Sequence, residues 1–136
     1  MTRADLRALA TMRLEDASLL LDHGRHSSAY YLAGYAVELG LKAAIAKQFF
    51  EHVIPDRRFV NSIHTHDLAE LATLAGLRAA LAEAESKDAF AANWSVTTQW
   101  SEASRYEMID VFRARELVGA IGDPADGVME WLKLHW

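Results

Sequence analysis

The sequence predicts an all-α protein, arranged as a single bundle of four to five helices with a kinked or broken C-terminal helix. Alanine and leucine dominate the chain, and the β-branched residues never gather into an alternating run. Only two prolines, Pro55 and Pro124, interrupt it. With 136 residues, 51% of them hydrophobic, we expect one core and treat residues 1–136 as one domain.

Composition and charge argue against several classes of function. The formal charge is -5, whereas proteins that bind phosphate backbones non-specifically are usually basic. The absence of cysteine excludes disulfides and thiolate metal sites and favours a reducing compartment. The N-terminus lacks the apolar core of a signal peptide, and no apolar run is long enough to span a bilayer. We therefore predict a cytoplasmic protein that does not enter a membrane.

The first helix should begin after Thr2, which can cap it, and run to about Asp22. His23-Gly24 is a suitable stop, because glycine adopts the left-handed conformation that ends helices. Apolar residues recur every three or four positions and so form one stripe along this helix; they are Leu6, Ala10, Leu14, Ala17 and Leu21.

The second helix should open at Ser27 or Ser28 and continue to about His52. It is apolar around nearly its whole circumference, which is typical of a helix in the middle of a bundle. One stripe differs from the rest, because its members are polar or aromatic and are spaced by four, three and four residues; these are Tyr31, Tyr35, Glu38 and Lys42.

Residues 53–66 are expected to form a connecting loop. The third helix should start near Asp67, which can cap it while Glu70 reaches back in a capping-box arrangement. Residues 77–90 predict a fourth helix or a continuation of the third. Residues 91–107 have no clear period, so we expect a loop held on the bundle by its two tryptophans.

The last helix should begin between Met108 and Val111. Gly122-Asp123-Pro124 interrupts it, because proline lacks an amide donor and clashes with the preceding turn. Pro124 could then be the first residue of a short helix that follows.

His64, His66 and Asp67 place three potential metal ligands within four positions. A zinc site needs three or four converging ligands, and no second cluster accompanies them, so we predict neither a metal nor another cofactor. Alternatively, a histidine could move a proton while an arginine steadies a phosphate; Arg57, Arg58 and His64 could form such a set, and so could Arg105 from the later loop. Loop arginines are more often simply solvated.

Glu38 is the most informative single residue, because a carboxylate in an apolar helix is costly to bury without a partner. Its simplest partner is Lys42 one turn later, which would make an ordinary surface pair. Alternatively Tyr31, Tyr35 and Glu38 face a groove and meet Arg105 or His66 across it. Such a cluster would either lock the bundle or receive a ligand, and both interpretations stay open.

Three segments in this order, "GRHSSAYYLAGYAVELGLKAAI", "HTHDLAEL" and "WSEASRY", resemble the HEPN domain over roughly residues 6–117. By position, Glu38 corresponds to the glutamate of that family's second helix, His66-Asp67 to its "HDL" and Arg105-Tyr106 to its "RY". The resemblance implies a helical bundle, commonly a homodimer. Small stand-alone members are often encoded beside a minimal nucleotidyltransferase in a toxin-antitoxin type of module, and others are metal-independent ribonucleases or bind nucleotides.

One departure bears on activity. Ribonuclease members carry an arginine followed four to six residues later by a histidine near the start of a late helix, but no histidine follows Arg105 in that window. Arg58 and His64 have that spacing in another part of the chain. The sequence therefore favours a protein without robust catalysis that binds a nucleotide or a partner such as a nucleotidyltransferase, through Tyr31, Tyr35, Glu38, His66 and Arg105. The alternatives are a ribonuclease toxin that uses Arg58 or Arg105 with His64 or His66 and binds RNA, and a purely structural interaction module.

Overall fold

A computed structural model describes residues 1–49 and 52–136, and every regular element in these two ranges is helical. The all-α prediction is therefore confirmed. The elements are α1 (Arg3–Asp22), α2 (His26–Ala46), α3 (Arg57–Ser62), α4 (Leu68–Leu74), α5 (Arg78–Ala84), α6 (Asp88–Thr98), a 3₁₀ helix (Glu102–Tyr106), α7 (Val111–Gly122) and α8 (Val128–Lys133).

Helix α1 forms as its sequence predicts. The hydroxyl of Thr2 accepts from the amide of Asp5, and the Asp5 carboxylate accepts from the amide of Thr2, 2.8 Å away, which completes a capping box. Gly24 has a φ of 74° and permits the turn into α2. Ala10 and Ala17 of the predicted stripe are fully buried, and its three leucines pack against the core.

Helix α2 lies at the centre of the bundle and contacts α1, α4, α7, α8 and the 3₁₀ helix. Small residues on α2 allow this crowding, because a side chain at either of its glycines would collide with a neighbour. A Cβ on Gly34 would overlap the ring of Trp100, and a Cβ on Gly40 would lie 3.0 Å from Leu132. The aromatic ring of Trp100, which is 4% exposed, thus rests directly on the backbone of α2.

The ends of α2 differ from the prediction. It begins at His26 after Arg25, which provides no side-chain cap. The hydroxyl of Ser27 accepts instead from the amide of Ile109, 2.9 Å away. The predicted end at His52 is wrong because α2 stops at Ala46, and residues 50 and 51 of that predicted helix lie outside the described ranges.

The middle of the chain is more helical than expected. Asp56 accepts two amide hydrogen bonds and starts α3 inside the predicted loop. Asp67 caps α4 as predicted, but the Glu70 carboxylate accepts from the hydroxyl of Thr65 and does not complete a capping box. The segment predicted as an aromatic loop, residues 91–107, contains most of α6, an 11-residue helix that begins at Asp88.

The two tryptophans of that segment are buried, as expected, and the C-terminal helix is broken, as expected. The second part begins later than predicted, with Gly127 before α8 in place of Pro124. Gly127 has no room for a side chain, because a Cβ would overlap the backbone of Asp123. In the ranges that the structure describes, no helix has both the length and the apolar character needed to cross a membrane.

Candidate functional site

The polar face of α2 centres on Glu38, which is 1% exposed in an otherwise apolar helix. Its Oε1 atom accepts a hydrogen bond from the Nζ atom of Lys42, 2.8 Å away. This pair is the predicted one, but it does not lie at the surface, because the carboxylate is buried and only the lysine reaches solvent. The second oxygen, Oε2, is buried and has no hydrogen-bond partner among the described residues. Burial of such a charge depends on its neighbours.

His66 is the second partner of Glu38. Its position is fixed by the next residue, Asp67, which caps α4 and so holds the histidine at the helix entrance. The Nδ1 atom lies 2.9 Å from Oε1 of Glu38, and the Nε2 atom lies 2.9 Å from Oε2 of Glu102. The imidazole therefore joins α2 to the 3₁₀ helix.

Glu102 extends the same set of contacts to the surface. It lies in the first turn of the 3₁₀ helix, which Ser101 caps by accepting from the amide of Ala103. Its Oε1 atom lies 3.1 Å from Nη1 of Arg105. We call the resulting row of polar contacts the charge chain; it consists of Lys42, Glu38, His66, Glu102 and Arg105.

The guanidinium of Arg105 ends the charge chain at the surface, where its side chain is 46% exposed. It stacks on the ring of Tyr106 at 4.9 Å from the ring centroid. The electrostatic influence of Tyr106, followed by that of Glu102, raises the pKa of Arg105, so the side chain stays cationic. An exposed guanidinium in a fixed position is suited to an anionic ligand.

The two contacts of His66 limit its chemistry. Ionised carboxylates only accept hydrogen bonds, so Glu38 and Glu102 can both be satisfied only when both imidazole nitrogens carry a proton. His66 thus links α2 to the 3₁₀ helix, and neither of its ring nitrogens can contact a substrate without giving up a carboxylate partner.

Aromatic rings line α2 beside the charge chain. The rings of Tyr31 and Tyr35 stack with their centroids 6.1 Å apart and their planes 13° apart, and Tyr31 also contacts the ring of Trp100 at 6.2 Å. Burial, with a smaller contribution from the charge of Glu38, raises the pKa of Tyr35. Tyr35 is therefore a neutral donor at physiological pH, and Tyr31 is the tyrosine that lines a pocket with Arg105.

A pocket of about 270 Å³ lies where the start of α2 faces the 3₁₀ helix. The side chains that line it are those of Ser27, Ser28, Tyr31, Leu32, Ser104 and Arg105. No acidic side chain is among the lining residues in the part of the chain that the structure describes. The hydroxyl of Ser104 is buried and has no hydrogen-bond partner there.

The residues predicted for this site are thus brought together in part. Glu38 and His66 are in direct contact, whereas Arg105 reaches them only through Glu102. Tyr31 shares a pocket with Arg105, and Tyr35 stacks behind it. The sequence reasoning missed Glu102, although "WSEASRY" had been singled out for its arginine and tyrosine.

The second predicted pair, Arg58 and His64, is separate from the charge chain. Arg58 lies in the first turn of α3, and its guanidinium makes no hydrogen bond or ion pair with any described residue. His64 lines another pocket, of about 450 Å³, together with Lys42 and the end of α2. Across residues 1–49 and 52–136, no group of three or more histidine, aspartate or glutamate side chains is placed to hold a metal ion.

Comparison with known proteins gives one positive result. A family model described as the HEPN domain matches residues 4–135, which is nearly the whole chain. No curated protein and no solved structure matches significantly.

Proposed function

Because this chain belongs to the HEPN domain family, we propose that it binds a nucleotide on the face formed by Tyr31 and Arg105, without robust catalysis of its own. The observation that carries the proposal is the charge chain, which holds an arginine at the surface through a buried carboxylate. A guanidinium presents donors in a planar fork that matches phosphate oxygens. Tyr31 supplies a ring on which a base can stack, and Tyr35 supports that ring from behind.

The alternative of a metal-independent ribonuclease has less support. Both nitrogens of His66 are engaged by carboxylates, and His64 lies beside a different pocket from that of Arg105. A ribonuclease of this kind needs a histidine that can exchange a proton near the phosphate that the arginine holds. RNA cleavage by the pure protein in chelator, lost in His66→Ala, would favour this alternative.

Replacement of Arg105 tests the proposal. Isothermal titration of ATP and other nucleotides into the wild type, in the presence of chelator, should give saturable binding. Arg105→Ala should weaken it by about ten-fold or more, because a charge-assisted hydrogen bond to phosphate is lost. Arg78→Ala is the matched control, since Arg78 is an exposed arginine at the start of α5.

The result that would contradict the proposal is a titration in which wild type and Arg105→Ala bind no nucleotide. If Glu38→Ala also lowers the melting temperature while partner binding is unchanged, the charge chain has a structural role only. The protein would then be an interaction module without a small-molecule ligand.

We also propose that the chain forms a homodimer. Three large apolar side chains that follow Arg105 closely in the chain are largely exposed; they belong to Tyr106, Met108 and Phe112, with exposed fractions of 81%, 96% and 77%. Exposed apolar side chains that lie together mark contact surfaces. A second copy is the partner that we favour, and a minimal nucleotidyltransferase, as in a toxin-antitoxin module, is the other candidate.

Light scattering during gel filtration distinguishes these partners. The wild type should elute with twice the mass of the chain, and Met108→Glu with Phe112→Glu should give a monomer, because two charges cannot be buried unpaired in an interface. Leu19→Glu is a control at another exposed apolar side chain, on α1. A monomeric wild type would contradict the homodimer and leave this surface for a different protein.

A further inference from the structure

We propose that the pocket between the start of α2 and the 3₁₀ helix is a phosphate subsite, in which Ser28, Ser104 and Arg105 hold a phosphate monoester. This inference rests on the proposed function, because it assigns one part of the nucleotide to one part of the face. At about 270 Å³, the pocket has room for a phosphate group but not for a whole nucleotide. The base would therefore lie outside it, toward Tyr31.

The N-terminus of α2 provides the first reason. A helix of 21 residues has a positive end, where the first amide groups have no intrahelical partner. Here that end is not compensated, because Arg25 gives no side-chain cap and the first turn contains no acidic residue. Arg25 adds a further positive charge beside it. An anion at this end would satisfy the amides and offset the charge.

The hydroxyl of Ser104 provides the second and independent reason. Ser104 is 2% exposed, it lines the pocket, and its oxygen has no hydrogen-bond partner among the described residues. Burial of an unpaired hydroxyl is unfavourable. A phosphate oxygen in the pocket is the acceptor that we assign to this hydroxyl.

The charge chain provides the third reason, because its contact with Glu102 holds the guanidinium of Arg105 in position at the pocket. Glu102 engages the Nη1 atom of Arg105 and Tyr106 contacts the same guanidinium, so the donors that face neither residue are left for a ligand. Ser28 is exposed at the pocket rim and can add a hydroxyl. The oxygen of the neighbouring Ser27 accepts from the amide of Ile109, and its hydroxyl proton can still be donated to a phosphate.

Titrations of AMP, adenosine and inorganic phosphate into the full chain test the subsite. The wild type should bind AMP at least ten-fold more tightly than adenosine, because only AMP carries the phosphate. Ser104→Ala should weaken AMP binding by about ten-fold and leave adenosine binding unchanged, and Ser28→Ala should act in the same direction. Ser95→Ala, at an exposed serine of α6, is the control and should change neither.

A thermal melt of Ser104→Ala distinguishes a loss of AMP binding from a loss of stability. Loss of an unpartnered buried hydroxyl should leave the melting temperature unchanged or raise it slightly. Ser28 lies at the surface, so Ser28→Ala should leave the fold intact and provides a second test of the subsite.

Two outcomes of these titrations would contradict the proposed subsite. If AMP binds no better than adenosine, or if both serine variants keep the preference for AMP, the phosphate lies elsewhere while the proposed nucleotide binding stands. If no nucleoside or nucleotide binds, the proposed function fails, and the titration of inorganic phosphate then tests the subsite alone. Phosphate binding that is lost in Ser104→Ala would support the subsite. An absence of phosphate binding would reject the subsite too.

Discussion

Gly34→Ala is expected to destabilise the protein by about 3 kcal/mol or more, because over-packing of a tight core carries a cost of that order. The added Cβ would overlap the ring of Trp100, which is buried and has nowhere to move without disturbing its neighbours. Ser101 and Glu102 follow directly in the chain, so displacement of Trp100 also shifts the 3₁₀ helix. Urea denaturation should show the loss of stability, and titration with ATP should show a loss of binding in the same variant.

Gly119→Ala is the matched control for this prediction. Gly119 also lies inside a helix, α7, but no atom lies within 4 Å of the position that its Cβ would take. Alanine there should be neutral or stabilise the protein by about 0.5–1 kcal/mol through its better helix propensity. Equal stabilities for the two variants would mean that Trp100 is not seated on Gly34.

The second large effect concerns the partners of Glu38. Removal of both of them, in Lys42→Met with His66→Ala, should cost about 3–5 kcal/mol, because it leaves a buried carboxylate without a counter-charge. Glu38→Met should cost much less, since it removes the buried charge itself and keeps a similar volume. The side chains of Lys42 and His66, 24% and 45% exposed, can then be hydrated by solvent.

Urea denaturation of these variants measures the difference. Lys133→Ala is the control, because it breaks an exposed pair with Glu130 whose contribution should be below about 1 kcal/mol. Glu38→Met could instead lower the free energy of unfolding as much as the loss of both partners does. That result would mean that the buried carboxylate itself stabilises the bundle, which contradicts the account.

Local sequence features predicted the first part of the fold well. The cap at Thr2, the stop at Gly24 and the pairing of Glu38 with Lys42 each depend on residues within a few positions of one another. The break after α7 is likewise local, since it follows from Gly122 and Pro124. Such features need no knowledge of the rest of the chain.

Helix α6 shows why one element was missed. Its buried residues Phe90, Trp94 and Thr97 are spaced by four and three, which is a helical pattern. Val96, Thr97 and Thr98 are β-branched and have low helix propensity, so the intrinsic propensities of this segment do not predict a helix. Packing of its aromatic face against α8, where Trp131 contacts both Phe90 and Trp94, outweighs that propensity.

Glu102 was missed for a different reason. Within its own segment it is only an acidic residue in a first turn, and its partner His66 comes from a distant part of the chain. No local pattern predicts that contact. The resemblance to the HEPN domain indicated Glu38, His66 and Arg105 as members of one face, and Glu102 is the residue that joins them.

The central claim is that a nucleotide binds where the charge chain ends. Amide chemical shifts of the ¹⁵N-labelled protein, recorded while ATP is added in chelator, test it most directly. The account predicts saturable changes confined to residues 26–35 and 101–106, which require about ten-fold more ATP in Arg105→Ala and are unaltered in Arg78→Ala. No change at all, or changes confined to α5 and α8, would contradict it.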